Sequence, residues 1–404
     1  MIRGYGADVD TRADLEIGIL QADEAEARHV LGQQAFGHAR PYDPDGPVPT
    51  AWHIVARRRG RIVAAVTHLR FAQWWGGRAV PMGGIAGVNV APEARGSGLA
   101  RTLLRVAYDE MRAEGSPVSA LYPTTGTLYR SVGYGWGGEW TLSSLPLSML
   151  PERGDPQVEL VPVDPRPTPA AAAVYDLVGA RSPGWLARDA ATWAFVDASQ
   201  RRSGAPRFAY EARRGDEVVG FTSYQAAPAE RAGFLVQVDE LFAADGGAMA
   251  TLLALHAGNT TMADELHTRV PVRSLLPHLR HAQRARRVRD WWWMLRLVDL
   301  PAAFAARGWP PAVSAEVHLR VADDDIRAND GPWVLTVADG AGRLERGGTG
   351  RIRVDVADLA TVFTGAVDPF TLAAEGLLPG AREADLLALA AAVAGPPPTL
   401  PDFF

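Results

Sequence analysis

The chain has 404 residues, a formal net charge of -5 and 47% hydrophobic residues, which fits two or three folded domains without bulk affinity for nucleic acid or anionic membrane. It has no cysteine, and all 41 of its basic residues are arginine. Disulfides, thiolate nucleophiles, sulfur metal sites, a glycine-lysine phosphate loop and a pyridoxal Schiff base are thereby excluded.

The opening "MIRGYGADVDTRADLEIG" mixes acids into its first residues and lacks an apolar h-region, which argues against a signal peptide. The longest apolar stretch, "ADLLALAAAVAG", is too short for a membrane helix and predicts a buried one. The expected location is cytoplasmic.

In chain order, "LEIGIL" and "RIVAAVTHLR" predict strands, with Gly60 turning a hairpin. A strand through Val88 and Val90 ends at Pro92, which cannot donate to a sheet ladder. Arg95-Gly96-Ser97-Gly98-Leu99-Ala100 follows, and then a helix with apolar positions Leu99, Leu103, Val106 and Met111 on one face. Gly115 ends that helix as a C-cap. The glycines let backbone N–H groups at the helix N-terminus point outward with the positive end of the macrodipole behind them, a fit for pyrophosphate. The plainer alternative is a tight strand-to-helix turn. A dinucleotide fingerprint is disfavoured, because Arg101 stands where a third glycine or alanine is needed.

An internal repeat follows. "RRGRIVAAVT" (58–67) matches "RRGDEVVGFT" (213–222) at constant offset, and "GVNVAPEARGSGLARTLLRVAYDE" has a looser echo in "LVQVDELFAADGGAMATLLALHAG". Tandem copies of one fold are the economical reading. The second copy lacks the glycine spacing and an equivalent tyrosine, so it is expected to wall a cleft rather than bind a cofactor.

His278 and His281 lie three apart in "HLRHAQRARRVRD", which predicts an arginine-rich solvated helix or, less simply, half of a metal site. "WWW" (291–293) predicts a strand packing in the core and between domains. From about residue 297 the alternation in "VHLRV", "PWVLTVADG" and "RIRVDV" predicts strands, and "VADLATVFTG" and "PFTLAAEGLL" predict helices of a separate α+β domain. The chain ends "PPPTLPDFF". Two phenylalanines behind stiff prolines are costly to expose, so the tail is expected to dock.

The R-x-x-G-x-A pattern of Arg95, Gly98 and Ala100 resembles the acetyl-CoA pyrophosphate loop of the GNAT superfamily of N-acetyltransferases. "ALYPTTGTLYRSVGYGW" resembles that superfamily's next strand and its YxxxGY element, with Tyr129, Gly133 and Tyr134 in place. Over nearly the whole chain, through "RSPGWLARDAATW", "LPHL", "LRLVDLPAAFAARG" and "DPFTLAAEGLL", the resemblance extends to the enhanced intracellular survival (Eis) family of aminoglycoside acetyltransferases. It implies an α/β and α+β chain: a catalytic GNAT domain (1–145), a degenerate second GNAT-like domain (146–296) and a sterol-carrier-protein-like domain (297–404), assembled as a hexamer.

The same resemblance implies acetyl-CoA as cosubstrate, held by Val88, Asn89, Val90, Arg95, Gly96, Ser97, Gly98, Leu99, Ala100 and Thr124, with no metal. Direct attack of an amine is expected, since no cysteine can form an acyl-enzyme. Tyr129 takes the family's general-acid position, with Tyr122 and Tyr134 as competitors. The terminal carboxylate of Phe404 takes the general-base position, its basicity raised by apolar rings. For a polycationic, aminoglycoside-like acceptor, the pocket candidates are Phe36, His38, Trp74 and Asp402. Gly87 stands where the best-known member of that family has an aromatic lining the acceptor pocket. Two alternatives stay open: a lysine or peptide acceptor on the same fold, and a non-catalytic lipid- or ligand-binding protein.

Overall fold

A computed structural model describes residues 14–37, 42, 51–201, 204–229 and 233–404. His38, one of the acceptor-pocket candidates, lies outside the described residues.

The first unit comprises β1 (Leu15–Ile19), α1 (Ala25–Phe36), β2 (Ala51–Arg58), β3 (Arg61–Trp75), β4 (Arg78–Val90), α2 (Leu99–Glu114), β5 (Val118–Leu121), α3 (Gly126–Arg130) and β6 (Gly135–Pro146). The second comprises β7 (Glu159–Val163), α4 (Pro169–Gly179), α5 (Ala190–Arg201), β8 (Arg207–Arg214), β9 (Glu217–Pro228), β10 (Phe234–Ala243), α6 (Gly246–Ala257), β11 (Glu265–Thr268), α7 (Val272–Leu275) and β12 (Arg286–Leu297). The last comprises α8 (Leu300–Ala306), β13 (Ala315–Ala322), β14 (Gly331–Ala338), β15 (Ala341–Arg346), β16 (Ile352–Asp355), α9 (Val356–Thr364), α10 (Pro369–Ala374) and α11 (Glu383–Ala392).

The first two units share one twelve-stranded sheet of order β1-β2-β3-β4-β5-β12-β6-β11-β10-β9-β8-β7. Each half repeats the other: a hairpin turning at a positive-φ glycine, Gly60 in one and Gly215 in the other, then a parallel pair flanking a helix. The halves exchange their final strands. β12 pairs with β5 of the first unit, β6 pairs with β11 of the second, and the two exchanged strands pair with each other at the seam. The tandem repeat read from ten residues is therefore visible as a duplicated strand order.

The third unit carries a four-stranded sheet, β15-β14-β13-β16. Its helix α9 is buried along its whole length and wedges against the seam strand β6. Trp136 N–H donates to Thr361 Oγ1 at 3.0 Å, and any side chain at Gly135 would strike the Ala357 carbonyl. Buried Arg296 on β12 donates both to Asp323 Oδ1 and Oδ2, at 2.7 and 2.6 Å. One apolar cluster consequently runs from Leu69 on β3 through Trp293 and Phe363 to Leu400.

The arginine-rich run differs from its expected form. His278 closes a single 3-10 turn, His281 precedes another, and a strand starts at Arg286. Pairing with β6 fixes the run as extended chain, because the ladder outweighs the weak helical preference of arginine. Of the three tryptophans, Trp293 is buried while Trp291 and Trp292 are exposed. Helix α11 buries only one face, including Leu386 and Leu389, and exposes Leu387. Among the described residues, no helix is long and apolar enough to cross a membrane.

Candidate active site

Strands β4 and β5 run parallel but pair only from Met82–Val118 to Ile85–Leu121. There β5 stops while β4 continues to Val90. Just past the split, β4 bulges against β3, its register shifting between Ala65 and Thr67, and Gly87 takes φ +53°, a left-handed value that glycine adopts without strain. Among the described residues, the β5-facing edge of β4 from Ala86 to Val90 has no strand partner, so its N–H and C=O groups are available to an extended ligand. Val88 and Val90 are half-buried along that edge and Asn89 is buried.

At the far end of that edge, Arg95 to Gly98 form an exposed loop leading into α2. Gly96 and Gly98 sit at φ +76° and +78°, and nothing lies within 4 Å of where their side chains would be. Gly98 caps the helix without any side-chain hydrogen bond, and Ser97 Oγ turns back to the Ala94 carbonyl at 2.5 Å. The first-turn N–H groups are thus left unclaimed by side chains, the condition that suits a pyrophosphate. Leu99 is buried as the first apolar rung of α2, and Ala100 is half-buried behind it. The matching place in the second unit is already filled. Asp245 caps α6 by accepting from Ala248 N–H at 3.0 Å and also holds Arg214.

Three tyrosines surround the split, and their surroundings separate them. Tyr129 on α3 is buried, edge-on to Tyr134 at 5.9 Å between ring centroids, and burial alone pushes its hydroxyl up to about 12. Tyr134 is committed to packing, with its hydroxyl 2.8 Å from Ser119 Oγ, which in turn donates to the Gly83 carbonyl. Tyr122 places its hydroxyl 2.8 Å from the carbonyls of both Leu400 and Asp402, which makes it an anchor for the tail. Thr124 is exposed on the loop between β5 and α3.

The tail docks, as its apolar end predicts. Leu400 N–H donates to the Glu139 carbonyl and Glu139 N–H to the Pro398 carbonyl, a short parallel bridge on β6. Thr399 N–H reaches the Pro183 carbonyl, and Trp140 Nε1 donates to Pro401 at 3.1 Å. The Phe404 ring lies against Phe71 at 5.1 Å and edge-on to Tyr122 at 5.8 Å. It passes over Gly84, where a side-chain carbon would come within 3.0 Å of it. Exposed Phe403 stacks between Tyr122 and Trp291. Gly83 faces Met111 of α2 while Gly84 faces Phe404. The tail therefore approaches the β4–β5 split from one side of the sheet, and the glycine loop and α2 from the other.

Asp402 is buried and paired with Arg188, whose Nη2 donates to Oδ1 at 2.5 Å. Arg188 also holds Glu240 at 3.0 Å and lies over the rings of Tyr175 and Trp193. Burial alone would lower the Arg188 pKa, but the two carboxylates raise it. Asp402 thus fastens the tail to the second unit. Nothing in the local sequence marks Arg188 for this part, because its partners lie far along the chain. Trp74 sits at the interdomain seam, its indole facing Gly179, and its backbone N–H donates to Trp185. Phe36 is exposed at the end of α1. A cleft of about 280 Å³ beneath Thr399–Pro401 is lined by Arg269, Arg273, Arg286 and Arg287 but by neither Tyr129 nor the glycine loop.

Residues 16–137 and 184–297 each match models of the acetyltransferase (GNAT) domain, and 300–401 match the sterol carrier protein domain. An uncharacterized N-acetyltransferase of Streptomyces coelicolor is 30% identical over 79% of this chain and 79% of its own length. The N-acetyltransferase Eis of Mycobacterium tuberculosis is 28% identical over 74% of each chain. The crystal structure of a GCN5-related N-acetyltransferase from Anabaena variabilis, 26% identical, superposes with a TM-score of 0.88 over 96% of this chain and 100% of that one. The chain therefore belongs to the GNAT superfamily of N-acetyltransferases and resembles, within it, the Eis family of two GNAT domains followed by a sterol-carrier-type domain.

Proposed function

We propose that this N-acetyltransferase moves the acetyl group of acetyl-CoA to a primary amine of a small molecule, at the β4–β5 split. The observation that carries the reading is the meeting at that split of an intact, uncapped glycine loop with buried Tyr129 on one side of the sheet and the docked Phe404 on the other. Arg95 to Ala100 would hold the pyrophosphate, and the open edge of Val88 to Val90 would pair with the pantetheine amides. Thr124 borders the same opening.

The chain's own groups then handle two protons. The amine nitrogen attacks the thioester carbonyl and the carbon–sulfur bond breaks. Tyr129 donates its proton to the departing thiolate, and its raised pKa keeps it protonated and neutral for that role at neutral pH. The Phe404 terminal carboxylate takes the proton that the amine releases, and the packing of the Phe404 ring against Phe71 and Tyr122 holds the chain end at the split. The second unit and the sterol-carrier-type unit position the tail.

Thiol release from acetyl-CoA against a panel of amines, aminoglycosides among them, tests the reading. Deleting Phe404 or adding one residue after it should collapse kcat and leave acetyl-CoA affinity nearly intact. Unchanged kcat would remove the carboxylate from the mechanism. Tyr129→Phe should lower kcat by about a hundredfold while KM moves little. A polycationic acceptor gains no support from Asp402, which Arg188 already neutralises. By the same resemblance the chain is proposed to form a hexamer, which light scattering would check.

A further inference from the structure

On the sheet face that carries Phe404, a second feature lies beside the bulge of β4. Residues Thr67, Leu69 and Phe71 alternate onto this face of β3, opposite Ala86, Gly84 and Met82 in register. Phe404 occupies the Phe71 end. The Thr67 end, roughly 13 Å away along the strand, is taken by the guanidinium of Arg28, which reaches across from α1. Its Nη2 donates to Thr67 Oγ1 at 2.6 Å and stands 2.9 Å from where a side chain at Gly87 would begin. A side chain at the bulge would have to displace it.

Most ionised arginines in this molecule that are withdrawn from water have a carboxylate: Arg57 has Glu24, Arg188 has Asp402, Arg207 has Asp197 and Arg296 has Asp323. Arg28 has none among the described residues. Its Nε is enclosed without a hydrogen-bond acceptor, and so is the neighbouring Asn89 Oδ1 without a donor. Among the described residues, the other titratable group facing it is His53, whose Nδ1 lies 3.0 Å from the same Thr67 hydroxyl. Burial, helped by the charge of Arg28, lowers that imidazole to about 4, so it is neutral near pH 7 and offers Arg28 no countercharge. A cation and an unpaired N–H enclosed in this way are costly, and a bound anion would relieve both.

We propose that Arg28 is a specificity residue which binds a carboxylate of the acceptor, so that the substrate is an amine bearing a carboxylate, such as an amino acid or a peptide end. This rests on the acetyltransferase reading for the amine, and on the Arg28 surroundings alone for the carboxylate. The planar fork of arginine receives a carboxylate in two parallel hydrogen bonds. The acceptor would lie along β3 with its carboxylate at the bulge and its amine toward the split and the tail. A polycation would instead meet an uncompensated positive charge there.

Matched amines that differ only by a carboxylate, lysine against cadaverine and phenylalanine against phenethylamine, separate the possibilities. They are compared by thiol release and by thermal shift, using the full-length protein and its Arg28→Gln and Arg28→Lys variants. The carboxylate member of each pair should have the lower KM, by on the order of tenfold to a hundredfold. Arg28→Gln should bring that ratio close to one, and Arg28→Lys should restore part of it. Equal use of both members by the wild type would overturn the assignment, and so would a rise in the acetyl-CoA KM of Arg28→Gln as large as its rise for lysine. The absence of any thermal shift with every carboxylate member would overturn it as well. A shift with lysine that needs Arg28, without thiol release from any amine, would uphold the anion site and remove the proposed reaction. The wild-type comparison alone decides the matter should Arg28→Gln fail to fold.

Discussion

A hydroxyl held up to about 12 by burial keeps its proton through the whole range in which enzymes work, and Tyr129 is lost as an acid only when pH rises through that value. The alkaline side of the kcat profile should therefore stay flat to about pH 10, and a fall centred nearer pH 8 would point to a different donor. Gly84 acts through clearance. Gly84→Val would push the Phe404 ring off β4 and should lower kcat more than tenfold, by the order of effect that a misplaced catalytic group produces, with acetyl-CoA affinity by calorimetry changing far less. Arg188→Met would leave Asp402 and Glu240 buried without their cation, at a cost of about 3–5 kcal/mol in denaturant unfolding. Tyr129 and the glycine loop were legible in the sequence because each is a short motif with local geometry. Arg188 and Arg28 were not, since their meaning depends on groups that only folding brings near.

At the scale of elements, α2 and α6 are copies that end differently at their N-termini. Gly98 leaves α2 open, whereas Asp245 closes α6 with its own carboxylate. The sequence disclosed this contrast as a lost glycine spacing, and in the structure the carboxylate of Asp245 accepts from a first-turn N–H of the kind that Gly98 leaves free. Strands with a solvent face, such as β13 and β14, were readable from alternation. The stretch around His278 and His281 was not, because β6 decides its conformation from across the seam. The domain order was legible; the exchange of β6 and β12 was not, since each strand's pattern is satisfied equally by either half of the sheet.

Across the whole molecule, one apolar cluster draws on residues from β3 to the tail, so heating should give one cooperative transition rather than three. Acid should weaken it early. Burial, helped by the charge of Arg28, lowers His53 to about 4, and burial alone lowers His256 to about 4. The unfolded chain takes up these protons near pH 6.5, so the stability they contribute is complete above that pH and is lost as pH falls toward 4. His256→Gln should flatten the fall in Tm between those values, and an unchanged slope would assign it to the carboxylates.

The exchanged strands also set a schedule for making the protein. While the ribosome is still extending the second unit, β5 has already emerged with its outer edge bare, because β12 has yet to be synthesised. At about 5–20 residues per second that edge waits roughly 10–35 s, long enough for a nascent sheet to pair with the wrong neighbour. A message truncated after the first unit would therefore yield an aggregating fragment rather than a smaller enzyme, and expression should depend on chaperones that hold the growing chain.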